Sequence, residues 1–292
     1  MKATVIGLGT MGGAIARRLV DKGFDVGGYD LEPAAVERLV EAGGRAVDPQ
    51  QDGLGEVVLT SLPNDGILTS AVLESGLLDR MGGGLLVEAS TALPATVEQI
   101  VERAKPLGIE VVDSPFSGGP NEALAGSLVQ FVGASEPALE RARPVLEALG
   151  SIEHVGEAGQ GKTVKLVNNL MAMGNVVVAM EAFTLGTKLG MDREKLFDVL
   201  SRSGARSFHF LKRMPYVLAD DYSARFALDL GGKDIRLGLQ LAHEQNYAMP
   251  TASTVHQIFE LGRAHGLGGE DVVAVMKVFQ GWAEGKAPTP DA

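Results

Sequence analysis

The chain has 292 residues, 45% apolar and 5% aromatic, with 38 glycines, no cysteine and a net charge of −11. The length suits about two domains with sizeable aliphatic cores, and the missing cysteines exclude a disulfide framework, thiol catalysis and Cys-ligated zinc. An acidic chain without a Lys/Arg run argues against nucleic-acid binding, and without an uncharged apolar run of about 18 residues no membrane span is expected.

Residues 1–6 read as a strand that runs straight into a glycine turn, which leaves no room for a targeting segment. A cytoplasmic, reducing location fits these features. The five histidines never fall four residues apart, so no metal is assigned to them.

Short apolar runs then alternate with amphipathic stretches. Strands are predicted over 3–6, 25–29, 56–61, 85–88, 110–113, 129–132 and 152–155, with helices over 11–22, 33–42, 94–107 and 137–149. Pro33, Pro94 and Pro137 each stand where a first-turn proline loses no helical hydrogen bond. This alternation predicts an α/β domain with a doubly wound, mostly parallel sheet. Beyond Gly161 the strands cease. One long helical pattern covers 161–190, followed by helices over 192–201 with Asp192 as N-cap, 228–245, 251–264 and 270–284. The expected division is therefore an α/β domain over 1–161 and an all-α domain over 162–292, joined by a long interdomain helix. The tail over 286–292, with Pro288 and Pro290, is expected to fray.

Gly7-Leu8-Gly9-Thr10-Met11-Gly12 is a G-x-G-x-x-G between a strand and a helix, with Asp30 about 20 residues on. Gly7 makes the tight turn, Gly9 lets the backbone approach a pyrophosphate, and Gly12 lets the helix pack on the strand. The helix N-terminus offers amides and partial positive charge to the phosphates. Asp30, at the end of the second strand, can accept hydrogen bonds from a ribose diol and would repel a 2′-phosphate. No arginine follows it directly, so NAD is expected over NADP. Leu62-Pro63-Asn64 and Ser90-Thr91 end later strands and should border the cofactor, although each also reads as a plain loop cap.

Three further segments carry candidate chemistry. In Asp113-Ser114-Pro115-Phe116-Ser117-Gly118-Gly119 a strand ends in a turn whose amides can cradle a carboxylate, or which is an ordinary turn. After Gly159-Gln160-Gly161, Lys165 and Asn169 lie four apart and share a helix face. A lysine near a helix start opposes the macrodipole, which disfavours its charged form and suits a proton donor. Lys233-Asp234 would bring a second cation if close to Lys165, and otherwise reads as a surface pair.

Together these motifs resemble the β-hydroxyacid dehydrogenases, the family that includes 3-hydroxyisobutyrate dehydrogenase and tartronate semialdehyde reductase. The resemblance runs from the glycine opening through Ser117-Gly118-Gly119 and Gly159-x-Gly161-x-x-x-Lys165-x-x-x-Asn169 to Phe226 and Lys233-Asp234. It implies a Rossmann-type domain and a helical domain with the site in the cleft between them, a small hydroxy-acid substrate, and a homodimer or homotetramer. It further implies that Lys165 is the general acid/base, that Asn169 orients the substrate, and that Ser117, Gly118 and Gly119 hold its carboxylate. Lys233 would line the nicotinamide and substrate, and Thr91 would approach the nicotinamide ribose. Arg206 falls where relatives present substrate-facing loops and could meet a second polar or anionic group, or be a surface arginine.

Two residues depart from the family pattern. Glu122, in Pro120-Asn121-Glu122-Ala123, replaces a glycine, and Phe116 replaces the commoner valine. An imine reductase of the same architecture, usually without the lysine, and a non-catalytic NAD-binding module are the competing readings.

Overall fold

A computed structural model describes residues 1–286. The expected fraying of the tail falls, from residue 287 on, outside the described residues. The chain forms two compact units, Met1–Lys165 and Leu166–Ala292.

The first unit is built on β1 (Lys2–Ile6), β2 (Asp25–Tyr29), β3 (Arg45–Ala46), β4 (Val57–Thr60), β5 (Gly84–Glu88), β6 (Ile109–Asp113), β7 (Phe116–Ser117), β8 (Leu128–Gly133) and β9 (Gly150–Gly156). Their order is β3-β2-β1-β4-β5-β6-β8-β7, with β9 against β8. From β3 to β6 all pairs are parallel. β8 then runs antiparallel to β6 and β7, and β9 runs parallel to β8. This is the mostly parallel, doubly wound sheet that the strand–helix alternation predicts.

Successive strand residues serve opposite faces. Val5, Leu59 and Val87 pack in one core, whereas Ile6, Val58 and Leu86 pack in the other. The chain winds outward from β1 to β3, then returns to β4 and winds the other way. The strand order therefore reverses between β1 and β4, and ligands of such sheets bind outside the carboxyl ends of strands at that point.

The four helices predicted in this half are present as Thr10–Asp21, Pro33–Glu41, Pro94–Ala104 and Glu136–Leu149. Not foreseen are the two-residue strands β3 and β7 and the short helices Asp65–Thr69, Leu77–Met81 and Pro120–Ala125. Each is too short to show a periodicity.

The second half adds no strand among the described residues. The long helix spans Gln160–Lys188. By length and composition alone it could cross a membrane. Met173, Val177, Met180 and Phe183 along it pack into the core of the second unit. Next comes Arg193–Ser201, whose N-cap Asp192 accepts the Lys195 amide at 2.8 Å as expected. Leu228–Glu244 and Pro250–Ala264 match their predicted spans closely.

Two helices differ from expectation. Phe208–Leu218 was not foreseen, because Pro215 inside it reads as a breaker. The last helix begins at Val275 and not at 270. There the Asp271 carboxylate accepts the Val273 amide, and a 3-10 turn, Val272–Ala274, precedes the helix.

Candidate active site

The glycine loop is shaped by close backbone packing. Gly7 has φ +89°, and a Cβ on it would stand 2.4 Å from Ser61 O; a Cβ on Gly12 would stand 1.8 Å from Gly7 O. At Gly9 a Cβ would meet nothing within 4 Å, so packing alone does not demand glycine there. The open space matches the approach a pyrophosphate needs. No side chain caps the helix start at Gly9, and no acid stands in its first turn over Thr10, Met11 and Gly12. An anion at that end would find a favourable dipole.

Asp30, the residue just past β2, anchors this loop. Its Oδ2 accepts the Leu8 amide at 2.6 Å, and its Oδ1 accepts the Glu32 amide at 2.9 Å. A carboxylate has about four lone-pair sites, so capacity remains for a ribose diol. After β4, the Leu62 amide donates to Ser90 Oγ at 2.9 Å, which joins the Leu62-Pro63 strand end to the Ser90-Thr91 strand end. Asn64 Oδ1 caps the helix Asp65–Thr69 by accepting the Ile67 amide at 2.9 Å.

Lys165 Nζ donates to the Phe116 carbonyl at 2.7 Å. The lysine therefore meets the peptide just before Ser117-Gly118-Gly119. Gly118 has φ +132°, and a Cβ there would come within 2.6 Å of Leu128 Cδ2. The Gly119 amide is not offered openly: it donates to Glu122 Oε2 at 2.8 Å, and Glu122 thereby caps the helix Pro120–Ala125. The departure at Glu122 thus places a carboxylate of the protein on one amide of the expected cradle.

Within the second unit, Asn169 Nδ2 donates to Asp234 Oδ2 at 2.6 Å, and Lys233 Nζ stands 3.0 Å from Asp234 Oδ1. Asn168 Nδ2 donates to Asn169 Oδ1 at 3.0 Å. The Asn169 carboxamide is held at both ends, with one N–H and one lone pair left over. Lys233-Asp234 is not the surface pair its sequence allows, because their side chains are only 15% and 3% exposed. Arg206 lies on an exposed loop between the helices Arg193–Ser201 and Phe208–Leu218.

Residues 2–174 match the family model described as the NAD binding domain of 6-phosphogluconate dehydrogenase. Residues 159–279 match the model described as NAD-binding of NADP-dependent 3-hydroxyisobutyrate dehydrogenase. The chain is 37% identical over 286 residues to a 2-(hydroxymethyl)glutarate dehydrogenase of Eubacterium barkeri, covering 96% of this chain and 95% of that protein. The crystal structure of a 3-hydroxyisobutyrate dehydrogenase from Salmonella typhimurium superposes with a TM-score of 0.86 at 30% identity, covering 95% of this chain and 99% of that one.

The chain belongs to the β-hydroxyacid dehydrogenase family.

As a member of it, the chain is an NAD(P)-dependent oxidoreductase acting on a CH–OH group. An imine reductase from Pseudomonas sp. aligns with a TM-score of 0.64 at 18% identity, over 94% of this chain and 98% of that one. That likeness is one of fold alone.

One feature of this dehydrogenase escaped sequence reasoning. Lys162 is sealed from solvent together with Glu88 and Asp113, its Nζ 2.6 Å from Glu88 Oε2 and 2.5 Å from Asp113 Oδ1. Burial by itself pushes the Lys162 ammonium down, but Asp113 and Glu88 outweigh it, and the net shift is upward from the ordinary lysine value. Asp113 Oδ2 also accepts the Gly159 and Lys162 amides, both at 3.0 Å. The helix start before Lys165 therefore carries a carboxylate, so the field at Lys165 is not that of a bare positive helix end. A signal was available: the predicted strands 85–88 and 110–113 each end in an acid directly after apolar residues, Leu85-Leu86-Val87 and Val111-Val112. A buried acid needs a partner.

Proposed function

We propose that this dehydrogenase oxidises, or forms by reduction, a small hydroxy acid whose carbinol carbon is β to a carboxylate, with Lys165 as general acid/base and NAD preferred over NADP. A bound nicotinamide supplies the hydride acceptor. Lys165 takes the hydroxyl proton in oxidation and returns it to the forming alkoxide in reduction. The observation that carries this reading is the contact of Lys165 Nζ with Phe116 O, which sets the amine beside the Ser117-Gly118-Gly119 turn. A carbonyl acceptor suits the ammonium and the neutral amine alike, since both donate.

Ser117, Gly118 and Gly119 hold the substrate carboxylate, sharing the Gly119 amide with Glu122. Asn169 orients the substrate hydroxyl, its amide fixed by Asp234. Lys233 lines the nicotinamide and substrate, and Arg206 meets a further polar group on larger substrates. Gly7, Leu8, Gly9, Thr10, Met11 and Gly12 receive the pyrophosphate, Asp30 the adenosine ribose, Leu62, Pro63 and Asn64 the cofactor's flank, and Thr91 the nicotinamide ribose. In this reading 1–161 is the NAD-binding domain and 162–292 the substrate and oligomerisation domain. A homodimer or homotetramer is supported by Met171, Val178 and Leu185, exposed apolar residues at seven-residue spacing along one face of the long helix. The acidic, cysteine-free composition suits the cytoplasm.

The test is reduced-cofactor formation at mildly alkaline pH with 3-hydroxyisobutyrate, 2-(hydroxymethyl)glutarate, 3-hydroxypropionate, threonate and serine, each with NAD and with NADP. Turnover of at least one acid, faster with NAD, is expected. Tighter binding of NADP would remove the argument from Asp30, and silence on every acid despite cofactor binding would remove the substrate class.

A further inference from the structure

The Lys162 cluster sets two carboxylates against one ammonium, all three side chains fully buried. Its Nζ also donates to the Glu88 carbonyl at 3.0 Å. Burying charge is costly, and apolar side chains of similar volume often stabilise a core as well or better. A sealed cluster with an unmatched carboxylate is therefore a poor staple, and its neighbours indicate another use. Glu88 closes β5, and its Oε1 accepts the Ser90 amide at 2.8 Å, next to Thr91. Asp113 closes β6, three residues before Phe116, and caps the long helix through the Gly159 and Lys162 amides. Helix and sheet nearly touch at Gly161, where a Cβ would stand 2.4 Å from Phe131 O and 2.8 Å from Asp113 Oδ2. Lys165 follows Lys162 by three residues, close to one helical turn.

We propose that Lys162, Glu88 and Asp113 are positioning residues that fix the rotation and depth of the first helical turn against β5 and β6, and so place Lys165 Nζ at the Ser117 turn. The proposal rests on the reading of Lys165 as the acid/base. A misplacement of about 1 Å at reacting groups can cost roughly 10²-fold in rate. The glycine loop is built on β1 and Asp30, and glutamine at position 88 keeps an acceptor for the Ser90 amide beside Thr91, so cofactor affinity should not follow the charges of the cluster.

The informative variant is E88Q/K162M. It removes the ammonium and one carboxylate together, leaves Asp113 to cap the helix, and keeps the net charge of the site. In the purified full chain its kcat on a hydroxy acid that the wild type oxidises is expected to fall about 10- to 100-fold. The KM for that acid and the Kd for NAD should stay within about threefold, a split that loss of structure alone would not give. A kcat within about twofold of the wild type overturns the proposal.

Lys165→Ala, measured alongside, separates two failures. If it keeps wild-type turnover, the acid/base reading falls and positioning falls with it. If it loses turnover while E88Q/K162M keeps it, only the positioning claim falls. Should the double variant not fold, E88Q alone preserves side-chain shape and an acceptor for Ser90; a kcat lowered about threefold or more supports the proposal, and wild-type kcat overturns it. A crystal structure of the folded variant needs no substrate. Lys165 Nζ drawn away from Phe116 O is the expected result, and Nζ still at 2.7 Å overturns the proposal.

Discussion

Each unit of the molecule holds a charge group sealed in its interior, Lys162 with Glu88 and Asp113 in the first and Arg213 with Asp271 in the second, and these two groups differ in balance. In the second unit Arg213 Nη1 pairs with Asp271 at 2.5 and 2.6 Å, one cation with one anion. The remaining capacity of Asp271 is taken by loop amides: Arg225 and Phe226 at 3.0 Å each, and Val273 at 3.3 Å. That pair is matched, and although the loop it closes includes Phe226 of the family pattern, it carries none of the groups proposed to react or to hold the cofactor. The Lys162 cluster is unmatched, and it sits on the two strand ends and the helix start that lead to Thr91, Ser117 and Lys165. Similar chemistry is thus proposed to serve two ends: one group holds the fold, and the other sets the place of Lys165.

This contrast can be broken by experiment, most severely at the residue the unmatched cluster is said to serve. Lys165→Ala is expected to lower turnover by about 10²- to 10⁴-fold, the usual worth of a placed acid/base group, with NAD affinity retained. Near-normal turnover would leave the cluster with nothing to position. Next in size is Arg213→Met, which strands a buried Asp271 and should cost about 3–5 kcal/mol in chemical denaturation. The kcat of its folded fraction should match the wild type. A normal denaturation midpoint, or a kcat loss at normal stability, would reverse the roles given to the two groups. The smallest change is expected at exposed Arg206, where alanine should raise KM about two- to fivefold at constant kcat, the scale of a solvent-exposed charge contact. An unchanged KM returns Arg206 to the surface.

Much of the first unit is legible along the chain because its determinants are local. Seven apolar runs became seven strands, and Gly7, Gly9 and Gly12 each have a reason that can be read from strand, turn and helix in sequence. Glu122 is visible as a departure, and Gly119-x-x-Glu122 has the spacing of a helix start in which the fourth residue reaches back to the N-cap amide. That spacing would have warned that the Gly119 amide is not open. The helix Phe208–Leu218 hides behind Pro215, and β3 and β7 are too short to leave a pattern. The Lys162 cluster is non-local: positions 88, 113 and 162 meet only once two parallel strands lie side by side and the chain returns across their ends. Asp234 was seen as half of a dipeptide, but its bond to Asn169 spans 65 residues and depends on helix packing.

The reaction proposed for this chain is hydride transfer from the carbinol carbon of a β-hydroxy acid. Oxidation of 2-(hydroxymethyl)glutarate or 3-hydroxyisobutyrate deuterated at that carbon, followed by mass analysis of the reduced cofactor, tests it most directly. One deuterium per reduced nicotinamide is the predicted result. Reduced cofactor without deuterium, or none formed from either acid while cofactor binds, would contradict the account.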